Sequence, residues 1–155
     1  MNRILMGLLI SLTLVILFQS ETLGCVCVSL SNISLESEIR SQVKTATAVF
    51  AGEVTVVRMG EDHTYADMKV SEFWKGDFSE DVTVATDFSS CSFKFEKGKG
   101  YLLFGVMVKG YLNIGGCFYN GELSRRTDEL SILGKGKVPP KSRKKLWSSS
   151  YRYRT

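Results

Sequence analysis

Cys25-Val26-Cys27 is the tightest constraint in the sequence, because two thiols one residue apart must find partners elsewhere or stay free. The remaining cysteines, Cys91 and Cys117, lie far downstream. Immediately upstream is a segment with the parts of an export signal: Arg3, an apolar run from Ile4 to Phe18, and the small residues Thr22 and Gly24 ahead of Cys25. The run is shorter than the roughly 20 apolar residues that span a bilayer. The expected division is therefore a signal peptide over 1–24, removed to leave a secreted chain that starts at Cys25 and has no stable membrane span.

All four cysteines survive such a cut. An even number in an exported chain argues for two disulfides. Zinc is disfavoured, since structural sites use paired cysteine knuckles and the chain has a single histidine, His63. Joining Cys25 to Cys27 would close a strained ring, so the remaining connectivities tie the chain start to the neighbourhoods of Cys91 and Cys117. Each bridge closes a loop of more than ~60 residues, worth on the order of 4 kcal/mol in the chain-entropy model. Free thiols are the competing possibility, and they would make all four cysteines titratable.

Beyond the cysteines, Leu35, Ile39 and Val43 recur every fourth residue behind Ser34, which predicts a capped amphipathic helix over 35–46. From Ala48 the pattern turns to strands: AVFAGEVTVVRM, TYADMKVSEFW, DVTVATDF, YLLFGVMV and YLNIGGCF, separated by GEDH, KGDFSED, a serine-rich loop with EKGKG, and KG. Five strands with short turns favour a small closed barrel over a sandwich. TDELSILG reads as a last helical turn or two packed on it.

The charge is divided. Residues 25–134 carry eleven basic and fifteen acidic side chains, a net of −4, whereas 135–155 carry eight basic and no acidic ones. The eight are Lys135, Lys137, Lys141, Arg143, Lys144, Lys145, Arg152 and Arg154. With two prolines, three consecutive serines and no periodicity, 135–155 is expected to be a disordered basic tail. As a functional element it would be a handle for anionic polysaccharide or cell surfaces; no nucleic-acid partner is expected. Asn32-Ile33-Ser34 is a possible glycosylation sequon.

Enzymatic constellations are missing from the sequence. His63 falls in the predicted turn GEDH as a solvated residue, and there is no nucleophile elbow, phosphate loop or zinc-protease helix motif. The chain is expected to be no enzyme, to need no cofactor or metal of its own, and to be a monomer. A cut before Cys25 would, however, free an α-amino group with a reference pKa of about 7.7–8.0, neutral enough near pH 7 to bind a metal ion. Together with the Cys25 carbonyl oxygen it would form a five-membered chelate on a partner's zinc.

CVCV at the mature start, AVFAGEV, VSEFWKGD, SSCSF, GKGYLLFG and GGCFYNGELSRRTDELSILG, in that order, resemble the N-terminal domain of the tissue inhibitors of metalloproteinases (TIMPs) and the wider netrin-like modules, in a short single-domain form covering 25–134. The resemblance implies an OB-fold-like five-stranded Greek-key barrel with one or two short flanking helices, and the bridges Cys25–Cys91 and Cys27–Cys117. It implies inhibition of a zinc metalloproteinase. Cys25 would chelate the protease zinc, with Val26, Cys27, Ser89 and Ser90 contacting the protease. The alternative is a non-inhibitory netrin-like module that binds anionic matrix or cell-surface polymers through its tail.

Overall fold

The computed structural model describes Cys27 and residues 33–141. Helix α1 runs Leu35–Thr45. The Ser34 hydroxyl accepts from the Ser37 N–H at its start, Glu36 and Glu38 sit in the first turn, and the Lys75 ammonium donates to the Val43 and Lys44 carbonyls at its end. Both ends thus carry the charge that the helix dipole favours. Ile39 is fully buried on the face turned to the sheet.

Six strands follow: β1 Ala48–Met59, β2 His63–Lys75, β3 Asp81–Asp87, β4 Gly100–Val108, β5 Tyr111–Asn113 and β6 Gly121–Glu122. Hydrogen bonding joins them in the order β1-β2-β3-β5-β4, and β1 returns to pair with β4, closing a ring of five. Every pairing is antiparallel except β3 with β5. The fold is mainly β, as expected. Two details differ. Only Tyr111–Asn113 of the predicted last strand is extended, because Gly115 and Gly116 leave the ladder; the two-residue β6 then pairs with Tyr101 and Leu102.

β1 and β2 are out of step at three places. The register slips between Val49 and Phe50, between Ala51 and Gly52, and between Val54 and Val56. The extra residues are Trp74 and Ser71 of β2 and Thr55 of β1, so the bulges mainly bend β2 around a β1 that keeps an unbroken register with β4. Gly52 marks a close approach, since a Cβ there would lie 2.6 Å from the Lys69 carbonyl oxygen. The same slips explain why β2 buries Ala66, Met68 and Val70 but then Phe73 instead of Glu72.

Two apolar clusters result. Phe50, Val54, Met68, Phe73, Phe78, Val84, Tyr101, Leu103 and Ile114 fill the ring. On its outer side Val49, Leu102 and Phe104 pack with Ile39 of α1, joined by Leu130 and Leu133 of α2, Thr127–Leu133. The central runs of β1 and β4 are therefore covered on both faces, which is why they read as continuous hydrophobic stretches.

The ordered body extends past the expected boundary at 134. The Trp74 indole N–H donates to the Gly134 carbonyl at 2.7 Å, the Gly136 N–H donates to Glu72 Oε1, and Phe73 and Lys137 exchange both backbone hydrogen bonds. Residues 134–137 thereby cover the part of β2 that β3 does not reach, and the first residues of the basic segment are pinned rather than loose. Among the described residues no helix is long and apolar enough to cross a membrane.

Phe50 has no solvent exposure and its ring lies 4.7 Å from that of Phe78. Phe50→Ala is expected to cost about 3–5 kcal/mol by removing buried surface and leaving a cavity. The loss should appear in denaturant unfolding as a lower midpoint at nearly constant slope.

Candidate functional site

The segments carrying Cys91 and Cys117 leave the ring at neighbouring points. β3 ends at Asp87 and β5 at Asn113, and the two strands run parallel side by side. The chains continue together: the Gly116 N–H donates to the Cys91 carbonyl at 2.8 Å, and Ser92 pairs with Gly115. A Cβ at Gly116 would stand 2.5 Å from the Cys91 carbonyl oxygen, so only glycine allows this approach.

Cys117 is bonded to Cys27, with an S–S distance of 2.08 Å and 5.3 Å between the Cα atoms. This fixes one half of the Cys-x-Cys pair beside the Cys91 segment. Cys91 is also in a disulfide, whose other half lies outside the described residues. No described cysteine is a free thiol.

The junction is held from below by buried polar contacts. Asn120 is 7% exposed; its Oδ1 accepts from the Phe104 N–H of β4 at 2.6 Å and its amide donates to the Gly115 carbonyl at 2.7 Å. One side chain thus ties the Cys117 loop to the ring. On the other loop, the buried Thr86 hydroxyl accepts from the Phe93 N–H. Tyr119 reaches α1, its N–H donating to Gln42 Oε1 and its hydroxyl to Glu38 Oε2. The hydrogen bond to the Glu38 carboxylate, with burial, raises the Tyr119 pKa.

Residues 88–90 form the exposed crest between β3 and Cys91. Asp87 organises it: Oδ1 accepts from the Ser89 N–H at 3.2 Å and from its hydroxyl at 2.6 Å. The Ser89 hydroxyl oxygen in turn accepts from the Cys91 N–H, and the Ser89 carbonyl from the Ser92 N–H. Ser89 and Ser90 are exposed and Phe88 keeps half of its surface in solvent. The hydrogen bond from the Ser89 hydroxyl, helped by its backbone N–H, holds the Asp87 carboxyl below its ordinary value.

The described site residues fall into two separate groups. Cys27, Ser89, Ser90, Cys91 and Cys117 converge on one end of the ring. Lys135, Lys137 and Lys141 are exposed at the other: His63, at the start of β2, pairs with Asp87, whereas Phe73, near its end, pairs with Lys137. Ten residues of strand separate those points, up to ~33 Å at 3.3 Å per residue. Cys25, Val26, Asn32, Arg143, Lys144, Lys145, Arg152 and Arg154 lie outside the described residues.

His63 is not a solvated turn residue. It opens β2, is half-buried, and its Nε2 is 2.7 Å from the Tyr111 hydroxyl across β3. Sequence reasoning missed Asp87 and Asn120. An Asp-x-Ser spacing at a strand end is a local turn signal and was available. Asn120 carried none, since both of its partners are set by the tertiary fold.

No protein-family model matches the chain, and no curated protein matches it.

The Asp87 turn makes a pH prediction. A depressed pKa means that the contact stabilises the turn fully above the ordinary aspartate value and is lost as pH falls through the depressed one. The Asp87 carboxyl carbon, followed by NMR, should titrate below a typical aspartate. Ser89→Ala should return its midpoint toward the ordinary range without unfolding the ring; an unchanged midpoint would show that Ser89 does not set it.

Proposed function

We propose that the chain is an exported, TIMP-like inhibitor of zinc metalloendopeptidases built on an OB-type barrel. The barrel assignment rests on the closed order β1-β2-β3-β5-β4 with a parallel β3–β5 pair, which suits a five-stranded Greek-key barrel flanked by helices. The observation that carries the function is the junction itself. The Cys27–Cys117 bridge fastens the Cys-x-Cys segment beside a Cys91 loop whose backbone is bonded to Gly116. The same loop presents Ser89 and Ser90 to solvent.

In this mechanism Cys25 is the first residue of the exported chain and is bridged to Cys91. Its amine, neutral at modest cost near pH 7, and its carbonyl oxygen enter the open coordination position of the protease zinc. Val26 enters the adjacent specificity pocket, and Ser89 and Ser90 form the second line of contact. Affinity comes from rigidity: the two bridges order the chain start beforehand, so binding does not carry that entropic cost. The thiols act as fasteners and the backbone as the zinc ligand.

A second reading draws on Lys135, Lys137 and Lys141, which are exposed where the chain leaves the body. The basic segment is then a handle for an anionic matrix or cell-surface polysaccharide. Because it leaves from the far end of β2, it can be occupied while the Cys27 end remains open, so both activities can coexist in one molecule.

Each activity has its own test. Against a panel of zinc endopeptidases, the chain beginning at Cys25 should inhibit, and one extra N-terminal alanine should abolish inhibition by displacing the amine. Inhibition by neither form would refute the proposal. For the handle, retention on a heparin column should fall sharply when the chain is cut after Lys141. Equal retention with and without 142–155 would remove that segment from the site.

A further inference from the structure

Asn120 is followed by Gly121, and in an Asn-Gly pair the side-chain amide is open to attack by the next backbone nitrogen, because glycine sets no Cβ in the way. The fold nevertheless calls for both residues. Asn120 has to accept from the Phe104 N–H and donate to the Gly115 carbonyl, which takes a side-chain amide. At Gly121 a Cβ would run into the Arg126 guanidinium, and that group is pinned by its bonds to Glu129 and to the Asn120 carbonyl. A reactive dipeptide is thus built into the disulfide corner.

The folded corner holds this pair still. Both polar atoms of the Asn120 carboxamide are bonded, and the side chain is buried. The backbone around it is fixed as well: the Asn120 N–H donates to the Phe118 carbonyl, Arg126 Nη2 donates at 2.8 Å to the carbonyl of the Asn120–Gly121 peptide, and Gly121 pairs with Leu102 of β4. For the Gly121 nitrogen to attack Cγ, that carbon has to become tetrahedral and its amide nitrogen has to leave. Neither change is compatible with keeping the bonds to Phe104 and Gly115.

We propose that Asn120–Gly121 is a self-modification site that the folded corner keeps closed and that reacts once the corner opens. The step needs only water as co-reactant. The Gly121 nitrogen bonds to Asn120 Cγ, the Cγ–Nδ2 bond breaks, and Nδ2 leaves as ammonia with the Gly121 amide proton. Water then opens the five-membered imide at one of its two carbonyls, leaving aspartate at position 120 or isoaspartate, in which the main chain runs through Cγ. Neither product rebuilds the corner. Aspartate sets an ionised oxygen against the Gly115 carbonyl where an N–H used to donate, while Arg126 is already committed to Glu129 and the Asn120 carbonyl. Isoaspartate adds a backbone atom ahead of Gly121 and displaces β6 from its register with Tyr101 and Leu102. An opening that would otherwise be reversible becomes a permanent loss of the tie between the Cys117 loop and β4.

The test holds the intact disulfide-bonded chain, and the same chain reduced and unfolded in guanidinium, at one mildly alkaline pH and follows the Asn120 peptide by mass spectrometry. The unfolded chain should deamidate at Asn120 at least about tenfold faster, because the reaction follows the population of the open form. In the unfolded state Gly121→Ala should slow the conversion, which direct hydrolysis of the amide would not predict. As a mimic of one product, Asn120→Asp should lower the denaturant midpoint or fail to fold. Equal rates in the two states, no conversion when unfolded, an unfolded Gly121→Ala chain that converts as fast, or a folded Asn120→Asp chain with an unchanged midpoint would each overturn the proposal. None of these outcomes depends on protease inhibition.

Discussion

β1 must satisfy two neighbours at once, and the rest of the structure depends on its doing so. Its first half closes the ring against β4 while its whole length pairs with β2. Two flat strands could not pair along this length while β1 also follows β4; the bulges at Trp74 and Ser71 let β2 bend around β1, and Gly52 supplies the room where the two backbones approach. Closing the ring removes the sheet edges over the length where it closes and encloses one core around Phe50 and Met68. It also turns the outer faces of β1 and β4 into the floor on which α1 and α2 pack.

Closure has a second consequence at the rim. By placing β3 beside β5, it brings the chain beyond Asp87 and the chain beyond Asn113 to one corner, where Cys91 and Cys117 run together. Short polar contacts then set the corner in place. Asn120 bonds the Cys117 loop to β4, and Thr86 bonds the Cys91 loop to its own strand. These bonds are worth most where they are buried, because a group left unpaired there would cost about 1–3 kcal/mol. The proposed inhibitor uses this stiffness directly, since its zinc ligand would be a backbone with no freedom left to lose.

Where closure stops, the molecule keeps its two open features. At one end of β2, residues 134–137 add a short pairing and direct the basic segment away from the disulfide corner. At the other, the hairpin runs on past β4, and among the described residues no second strand pairs with Val56–Met59 opposite β2. The first basic residues of that segment are thereby kept apart from the crest by the length of β2.

Much of this was legible in the sequence because it is local. The Ser34 cap and the four-residue spacing of Leu35, Ile39 and Val43 specify α1, and β-branched runs between glycine-rich turns specify the strands. The number and spacing of the cysteines pointed to bridges from the Cys25–Cys27 segment to Cys91 and Cys117, and Cys27–Cys117 is one of them. The tertiary structure alone decided which strands become neighbours, that Glu72 yields the core to Phe73, that His63 meets Tyr111, and that Asn120 joins Phe104 to Gly115. The reason is range. A cap or a turn is fixed by residues a few positions apart, whereas a register slip, a buried amide or an uncovered edge exists only once strands distant in the chain have been brought together.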